Sequence, residues 1–338
     1  MTFFVRPSRT DDIDALYEMA KLTGGGFTNL PPDRPALTAK LARSAAAFGR
    51  TDDAPGDDLF LLILENAEDG RIAGTAQIFS CVGMTCSFYS YRLGTLSQTS
   101  RELGRTFKAE MLSLTTDYEG ASEVGGLFLH PRERAGGLGL LLARSRYLFI
   151  RQHRARFADR VIAELRGVID EAGGSPFWDG LGAKFFGMGF QDADEFNATH
   201  GTQFIADLMP KHPVYLAMLS EPARHVLGLP HPTGRAAMRM LEKEGFAHEG
   251  YVDIFDGGPT MAAQTDRIAT IQGATDATRA AGDAADGGRA ALLATGHYDT
   301  FRAAWGRIAP SAGGMAVEPA AARALELPVG GGFVHVAR

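Results

Sequence analysis

Between Phe3 and Phe79 the chain alternates short apolar runs with helical periodicity. Phe3 to Arg6 is an apolar stretch ended by Pro7, the pattern of an edge strand. Ser8 or Thr10 is placed to cap a helix with Asp11, Asp12 and Asp14 in its first turn and apolar positions at Leu16, Met19 and Ala20. Lys21 to Asp33 reads as a glycine and proline loop, and Ala36 to Phe48 carries a second helical pattern. Leu59 to Glu65 and Ile72 to Phe79 are apolar runs separated by Asp69-Gly70, a hairpin signal. Phe88 to Leu93 and the leucine-bearing stretch to Tyr118 continue as sheet and loop. Leu127, Phe128 and Leu129 then form a buried strand that Pro131 stops, and an Arg-x-x-Gly-x-Gly loop opens a helix to about Phe157.

Further on, Val161 to Leu165 reads as a buried strand, and Ser175-Pro176 starts a helix with serine as cap and proline at the first helical position. Lys184 to Phe190 closes a first domain. Val214 to Leu219 is a short strand, Thr233 caps a helix over Gly234 to Glu244, and Tyr251 to Phe255 is another strand. The helix endings near Gly189 and Gly245 are loosely alike, which hints at an internal duplication. Ala262 to Gly296 is rich in Ala, Gly, Asp and Thr and is expected to be flexible. Gly313 to Val317, Pro319 to Leu325 and Gly332 to Val336 suggest a strand–helix–strand ending. The expectation is an α/β (α+β) fold with a mixed sheet flanked by helices. Its divisions fall at 1–195, 196–260 as a second half, 261–296 as a flexible linker and 297–338 as a small C-terminal segment.

Composition narrows the class. With 338 residues, 45% apolar and 22% charged, the chain is an ordinary globular protein able to bury one large core or two moderate ones. Its longest clean apolar run, Leu59 to Leu64, is too short to cross a bilayer, so no membrane association is expected. The start, MTFFVRPSRTDD, lacks the basic and apolar regions of a secretory signal, and a cytoplasmic protein is expected. A net charge of −6 argues against nucleic-acid binding. The segment from His130 to Arg160 reverses that sign, with eight arginines against Glu133 and Asp159, a formal +6. Such an island suits a small polyanion, or else an exposed, solvated helix face. Cys81 and Cys86 have no His or Cys cluster near them in sequence; no metal site is expected, and both read as free thiols.

The glycine loop carries the most specific chemistry. The first N–H groups of a helix have no internal partner and its dipole favours negative charge, so a helix opened by glycines is an anion site. Gly137 and Gly139 would let the backbone close on a pyrophosphate, with Arg134 beside it; the alternative is a turn whose glycines serve only the turn. A P-loop is excluded, because no Gly-x-x-x-x-Gly-Lys-Ser/Thr run occurs. A dinucleotide fold fits poorly, since Glu164 lies too far along to hold a ribose.

The loop resembles the acyl-CoA signature of the GCN5-related N-acetyltransferase (GNAT) superfamily, and the opening order of elements is GNAT-like. More specific blocks are FFVRPSRTDDIDAL, GASEVGGLFLHP, RFADRVIAELRGVIDEAGGSPFWDGLG, LMPKHPVYLAML, LPHPTGRAAMRMLEKEGF and GYVDIFDGGPT. In this order they resemble the arginine N-succinyltransferase family, including the paired subunits of arginine/ornithine succinyltransferases, from residue 2 to about 260. The resemblance implies two GNAT-like halves and succinyl transfer from succinyl-CoA, a co-substrate and not a permanently bound cofactor, to the α-amino group of L-arginine, the opening step of arginine catabolism. It also implies a homo-oligomer or a hetero-oligomer with a paralogous subunit. Leu127 matches the position that contacts succinyl-CoA, and His231 the proton donor. Gly228-Leu229-Pro230 precedes His231 where relatives carry a valine directly before the histidine.

Acyl transfer needs a neutral amine, a polarised thioester carbonyl and a proton for the departing thiolate. Backbone N–H groups near Leu127 could polarise the carbonyl, and His231, with an unperturbed pKa of about 6.5, could exchange the proton. His130 and His212 are its rivals. Glu123, Glu164 and Asp179 are candidates to hold a guanidinium, and Arg92 and Arg166 to meet the succinyl carboxylate. Two other readings stay open: a GNAT acyltransferase acting on ornithine or using another donor, and a non-catalytic acyl-CoA-binding subunit.

Overall fold

The computed structural model describes residues 2–23, 29–134, 136–200, 203–284 and 287–338. Part of the glycine loop expected after Lys21, and Ala135 of the Arg134–Gly139 loop, lie outside them. The chain forms two compact units: Met1–Cys81 with Ser122–Asp159 and Gln264–Arg338, and Val82–Ala121 with Arg160–Ala263. They are interleaved in sequence and are not divided at 195, 260 and 296.

In the first unit the strands run Thr275–Thr278, Gly332–Ala337, Arg289–Thr295, Arg302–Ser311, Phe3–Pro7, Leu59–Asn66, Ile72–Phe79 and Ser122–Leu129 across the sheet. Each pair in that run is antiparallel. Leu59 to Leu64 is unbroken in apolarity because both its faces are covered. Leu61 and Ile63 pack with Leu16, Leu37 and Leu41 of the helices Ile13–Lys21 and Arg34–Gly49. Phe60 meets Phe149 of the helix Leu138–Gln152, ring centroids 4.9 Å apart. Neither Ser8 nor Thr10 caps the first helix. The carboxylate of Asp12 accepts from the Arg9 amide at 2.7 Å and pairs with buried Arg6, while Ser8 Oγ meets Ser44 Oγ at 3.0 Å.

The 261–296 stretch, expected to be flexible, is ordered over its described residues. Arg289–Thr295 pairs on both sides, with Arg302–Ser311 and Gly332–Ala337, and Leu292, Leu293 and Ala294 are fully buried. Its lack of bulk reflects close packing. Ala291, Ala304, Ala321 and Ala322 share one core, and a methyl added to Gly306 would lie 2.5 Å from Ala321 Cβ.

The second unit holds the strands Arg160–Glu164, Pro259–Gln264, Ala247–Val252, Ser90–Ser100, Arg105–Thr115 and Val214–Tyr215 in that order across the sheet. Val214 to Leu219 is a strand only over its first two residues and then turns. Its core gathers Tyr91, Phe177, Trp178, Leu181, Val252 and Phe255. Ser175 caps its helix as expected, accepting from the Trp178 amide at 3.2 Å. Among the described residues no helix is long and apolar enough to cross a membrane.

Candidate active site

The predicted residues Leu127, Arg134, Gly137 and Gly139 all fall in the first unit, on one continuous path of strand, turn and helix. Thr75 faces Phe128 and Gln77 faces Gly125, so the single residue Ala76 opposes both Gly126 and Leu127. This is a β-bulge, which leaves an extra residue unpaired and re-aims the strand. Gly126 has φ +54°, and a methyl there would lie 2.6 Å from Gln77 Cδ and Nε2. Half-buried Leu127 follows it, so its backbone amide lies at the break in the ladder.

Beyond the bulge, His130 caps the turn Pro131–Glu133, its Nδ1 accepting from the Arg132 amide at 3.2 Å. Exposed Arg134 reaches back toward the Leu129 carbonyl at 3.5 Å. Gly136 and Gly137 both take left-handed conformations, φ +67° and +80°, and Gly137 is the cap from which Leu138–Gln152 runs. Side chains rarely adopt that region, so the turn itself requires these glycines. Gly139 is different. An added methyl would meet only Leu129, at an ordinary 3.8 Å, so this glycine is not needed for packing and keeps the first helical turn open.

Two residues escaped the sequence reading. Arg338 Nη2 donates to Gly136 O at 2.9 Å, and its guanidinium lies 4.9 Å over the Trp305 ring. Trp305 Nε1 donates to Gly137 O at 3.3 Å. The glycine turn is therefore flanked by an indole from the strand Arg302–Ser311 and by the exposed guanidinium of Arg338, just past the strand Gly332–Ala337. The arginine island is divided: Arg134 stays exposed at the turn, while others are used inside the fold. Arg144 donates to Thr270 Oγ1 at 2.7 Å and to Ala337 O, and fully buried Arg156 pairs with Asp58 at 2.9 Å. Arg151 and Arg154 pair with Asp276 and Asp266.

His231 lies in the second unit. Thr233 does not cap the helix that follows; His231 caps the turn Pro232–Gly234, and the helix begins at Arg235. Its Nδ1 lies 2.7 Å from Thr233 Oγ1 and 3.3 Å from the Thr233 amide, which fixes the ring and leaves Nε2 for proton exchange. The His231 amide donates to Arg166 O at 2.7 Å. Arg166 is anchored in turn: Gly167 N donates to Asp256 Oδ2 at 2.7 Å, and a methyl on Gly258 would lie 2.0 Å from Leu165 O. Burial, and secondarily the Arg166 charge, lower the His231 pKa, so the ring is neutral at neutral pH.

Near Arg166 the structure gathers acids that the sequence did not single out. Burial raises Asp253 and, together with its neighbour Asp253, holds Asp256 well above the carboxylate range. Asp194 is raised by burial and by Asp253, with Arg166 opposing. Tyr91 Oη and Arg166 Nε are buried without hydrogen-bond partners. Of the earlier candidates, Asp179 is exposed and Arg92 lies 3.8 Å from Asp117. Among the described residues no group of three or more His, Cys, Asp or Glu could hold a metal ion.

The first unit thus offers a bulged strand feeding a double-glycine turn at a helix N-terminus, and the second a histidine on an anchored loop. The class of protein comes from the comparisons. A family model described as arginine N-succinyltransferase beta subunit matches residues 3–270. The arginine N-succinyltransferase of Salmonella schwarzengrund (strain CVM19633) is 41% identical over 96% of this chain and 95% of its own. That of Escherichia coli O139:H28 (strain E24377A / ETEC) is 41% identical over 91% of this chain and 89% of its own. The structure of arginine/ornithine succinyltransferase subunit AI from Pseudomonas aeruginosa is similar, with TM-score 0.90 and 30% identity over 99% of this chain and 98% of that one. The chain belongs to the arginine N-succinyltransferase family.

Proposed function

We propose that this chain transfers the succinyl group of succinyl-CoA to the α-amino group of L-arginine, giving N2-succinylarginine and free CoA. The observation that carries the reading is the bulge at Gly126–Leu127 placed directly ahead of the Gly136–Gly137 turn, in a chain of this family. The turn and helix N-terminus take the pyrophosphate, with Gly139 leaving room and Arg134 beside it. The Leu127 amide donates to the thioester oxygen and stabilises the charge that develops there. The amine nitrogen forms a bond to the carbonyl carbon, the carbon–sulfur bond breaks, and the proton lost by nitrogen ends on sulfur, a transfer that the family resemblance assigns to His231. A histidine neutral at neutral pH has an unprotonated nitrogen available for that proton.

No resident cofactor is required by this chemistry. Ornithine is the second acceptor to consider, because a similar structure is that of a protein named arginine/ornithine succinyltransferase. Assembly as a homo-oligomer or with a paralogous subunit, in the cytoplasm, belongs to the same proposal. The test is CoA thiol release from succinyl-CoA with arginine, ornithine or no amine, for the parent protein and His231→Ala. Release that needs arginine and falls at least about 100-fold in the variant is expected. Tight succinyl-CoA binding with no release for any amine would replace this reading with that of a binding subunit.

A further inference from the structure

Lys40 is a helix residue that no step above uses, and its surroundings are unusual. Its Nζ donates to Asn29 O at 2.6 Å and lies 3.3 Å from Gln77 Oε1, while Gln77 Nε2 donates to the same Asn29 O at 2.7 Å. Gln77 is the side chain that a methyl on Gly126 would strike, so Lys40 is linked through one residue to the strand bulge. Other polar groups converge on the neighbouring residue. A methyl on Gly125 would lie 3.3 Å from Glu123 Oε1 and 3.6 Å from Asn29 Nδ2, and Arg146 Nη1 donates to Gly125 O at 3.3 Å. Gln77 thus stands over Gly126, and Glu123 and Asn29 over Gly125, beside an ammonium that among the described residues has used two of its three donors.

We propose that Lys40 Nζ receives the terminal carboxylate of the donor's succinyl chain beside the Gly126–Leu127 bulge, and so selects succinyl-CoA over uncharged acyl-CoAs. This rests on the thioester lying at Leu127. The carboxylate carbon is three bonds from the carbonyl carbon, a reach that suits a cation one residue from the bulge. Burying a lysine is costly, and the Glu123 carboxylate near it does not offset that cost in full. Burial lowers the Lys40 pKa to about 8, with Arg43 adding to the shift and Glu123 opposing it. Arg146, from the helix Leu138–Gln152, is the other cation at Gly125. A bound carboxylate adds the counter-charge that keeps Lys40 protonated.

The experiment compares succinyl-CoA with butyryl-CoA, which has the same chain length and no carboxylate, in direct binding by calorimetry and in turnover. Parent protein, Lys40→Met and Lys40→Arg are measured, with thermal melts as a folding check. The parent is expected to prefer succinyl-CoA, and Lys40→Met to lose about 10- to 100-fold in its affinity while butyryl-CoA is little changed. Lys40→Arg should recover part of the preference. Succinyl-CoA affinity of the parent should also weaken as pH rises above about 8, where free lysine loses its charge, with butyryl-CoA unaffected. Equal losses for both donors, or a change confined to the arginine KM, would overturn the assignment. Binding preference without turnover would remove the proposed activity and leave Lys40's role standing; no succinyl-CoA binding by the parent would remove both.

Discussion

Replacing Gly126 with alanine separates backbone strain from collision at the bulge, because Gly70 provides an internal control. Both glycines have positive φ, +54° and +71°, but nothing lies within 4 Å of a methyl on Gly70, whereas one on Gly126 falls 2.6 Å from Gln77. Gly70→Ala should therefore cost only the left-handed backbone, about 1–2 kcal/mol. Gly126→Ala adds displacement of Gln77 from Asn29 O and from the Lys40 ammonium, a further 1–3 kcal/mol or so, for about 2–5 kcal/mol in all. Urea unfolding of both variants measures the difference directly. Activity should separate them more sharply: Gly70→Ala retains the parent kcat, while Gly126→Ala loses about 10- to 100-fold by shifting the Leu127 amide. Equal stability losses with equal kcat values would show that the bulge neither packs on Gln77 nor aims the reacting group.

Three other outcomes follow from the same geometry. Thr233→Val should lower kcat about tenfold with KM and melting temperature unchanged, since it frees the His231 ring, and Thr233→Ser should restore it. Arg338→Ala should weaken CoA binding several-fold at low salt and much less at high salt, because an exposed guanidinium acts through a screened charge; a salt-independent loss would contradict this. His153 is buried against Tyr298, and burial, His297 and Arg156 lower its pKa to about 4. Its folded pKa lies below the unfolded value, so its share of stability is fully present above about pH 6.5 and is lost as pH falls toward 4. That share is about 2–3 kcal/mol, and His153→Phe should flatten the loss in urea titrations between those pH values.

The strand, Pro131, the double glycine and the following helix were legible because they are local: an apolar run, a breaker and a helix opening in direct succession. The bulge was not, since it exists only in the register between Gly126–Leu127 and Ala76. Arg338 lies 202 residues from Gly136, and no spacing rule connects them. Lys40 looked like any helix lysine, and its meaning comes from Asn29 and Gln77 closing around it. Within the arginine island the charge count could not tell exposed from buried residues; Arg144 and Arg156 spend their donors inside the first unit. The alanine-rich stretch before Gly296 misled for a related reason: small side chains were a sign of tight packing there. Asp194 and Asp253 come from separate elements and meet only when the second unit folds.

The measurement that bears most directly on the central claim is a crystal structure with a non-reactive succinyl-CoA analogue. The account predicts the carbonyl oxygen about 3 Å from the Leu127 amide and the pyrophosphate on the helix start at Gly137 to Gly139. A carbonyl oxygen with no backbone donor from Gly126 or Leu127, or a pyrophosphate bound away from that turn, would contradict it.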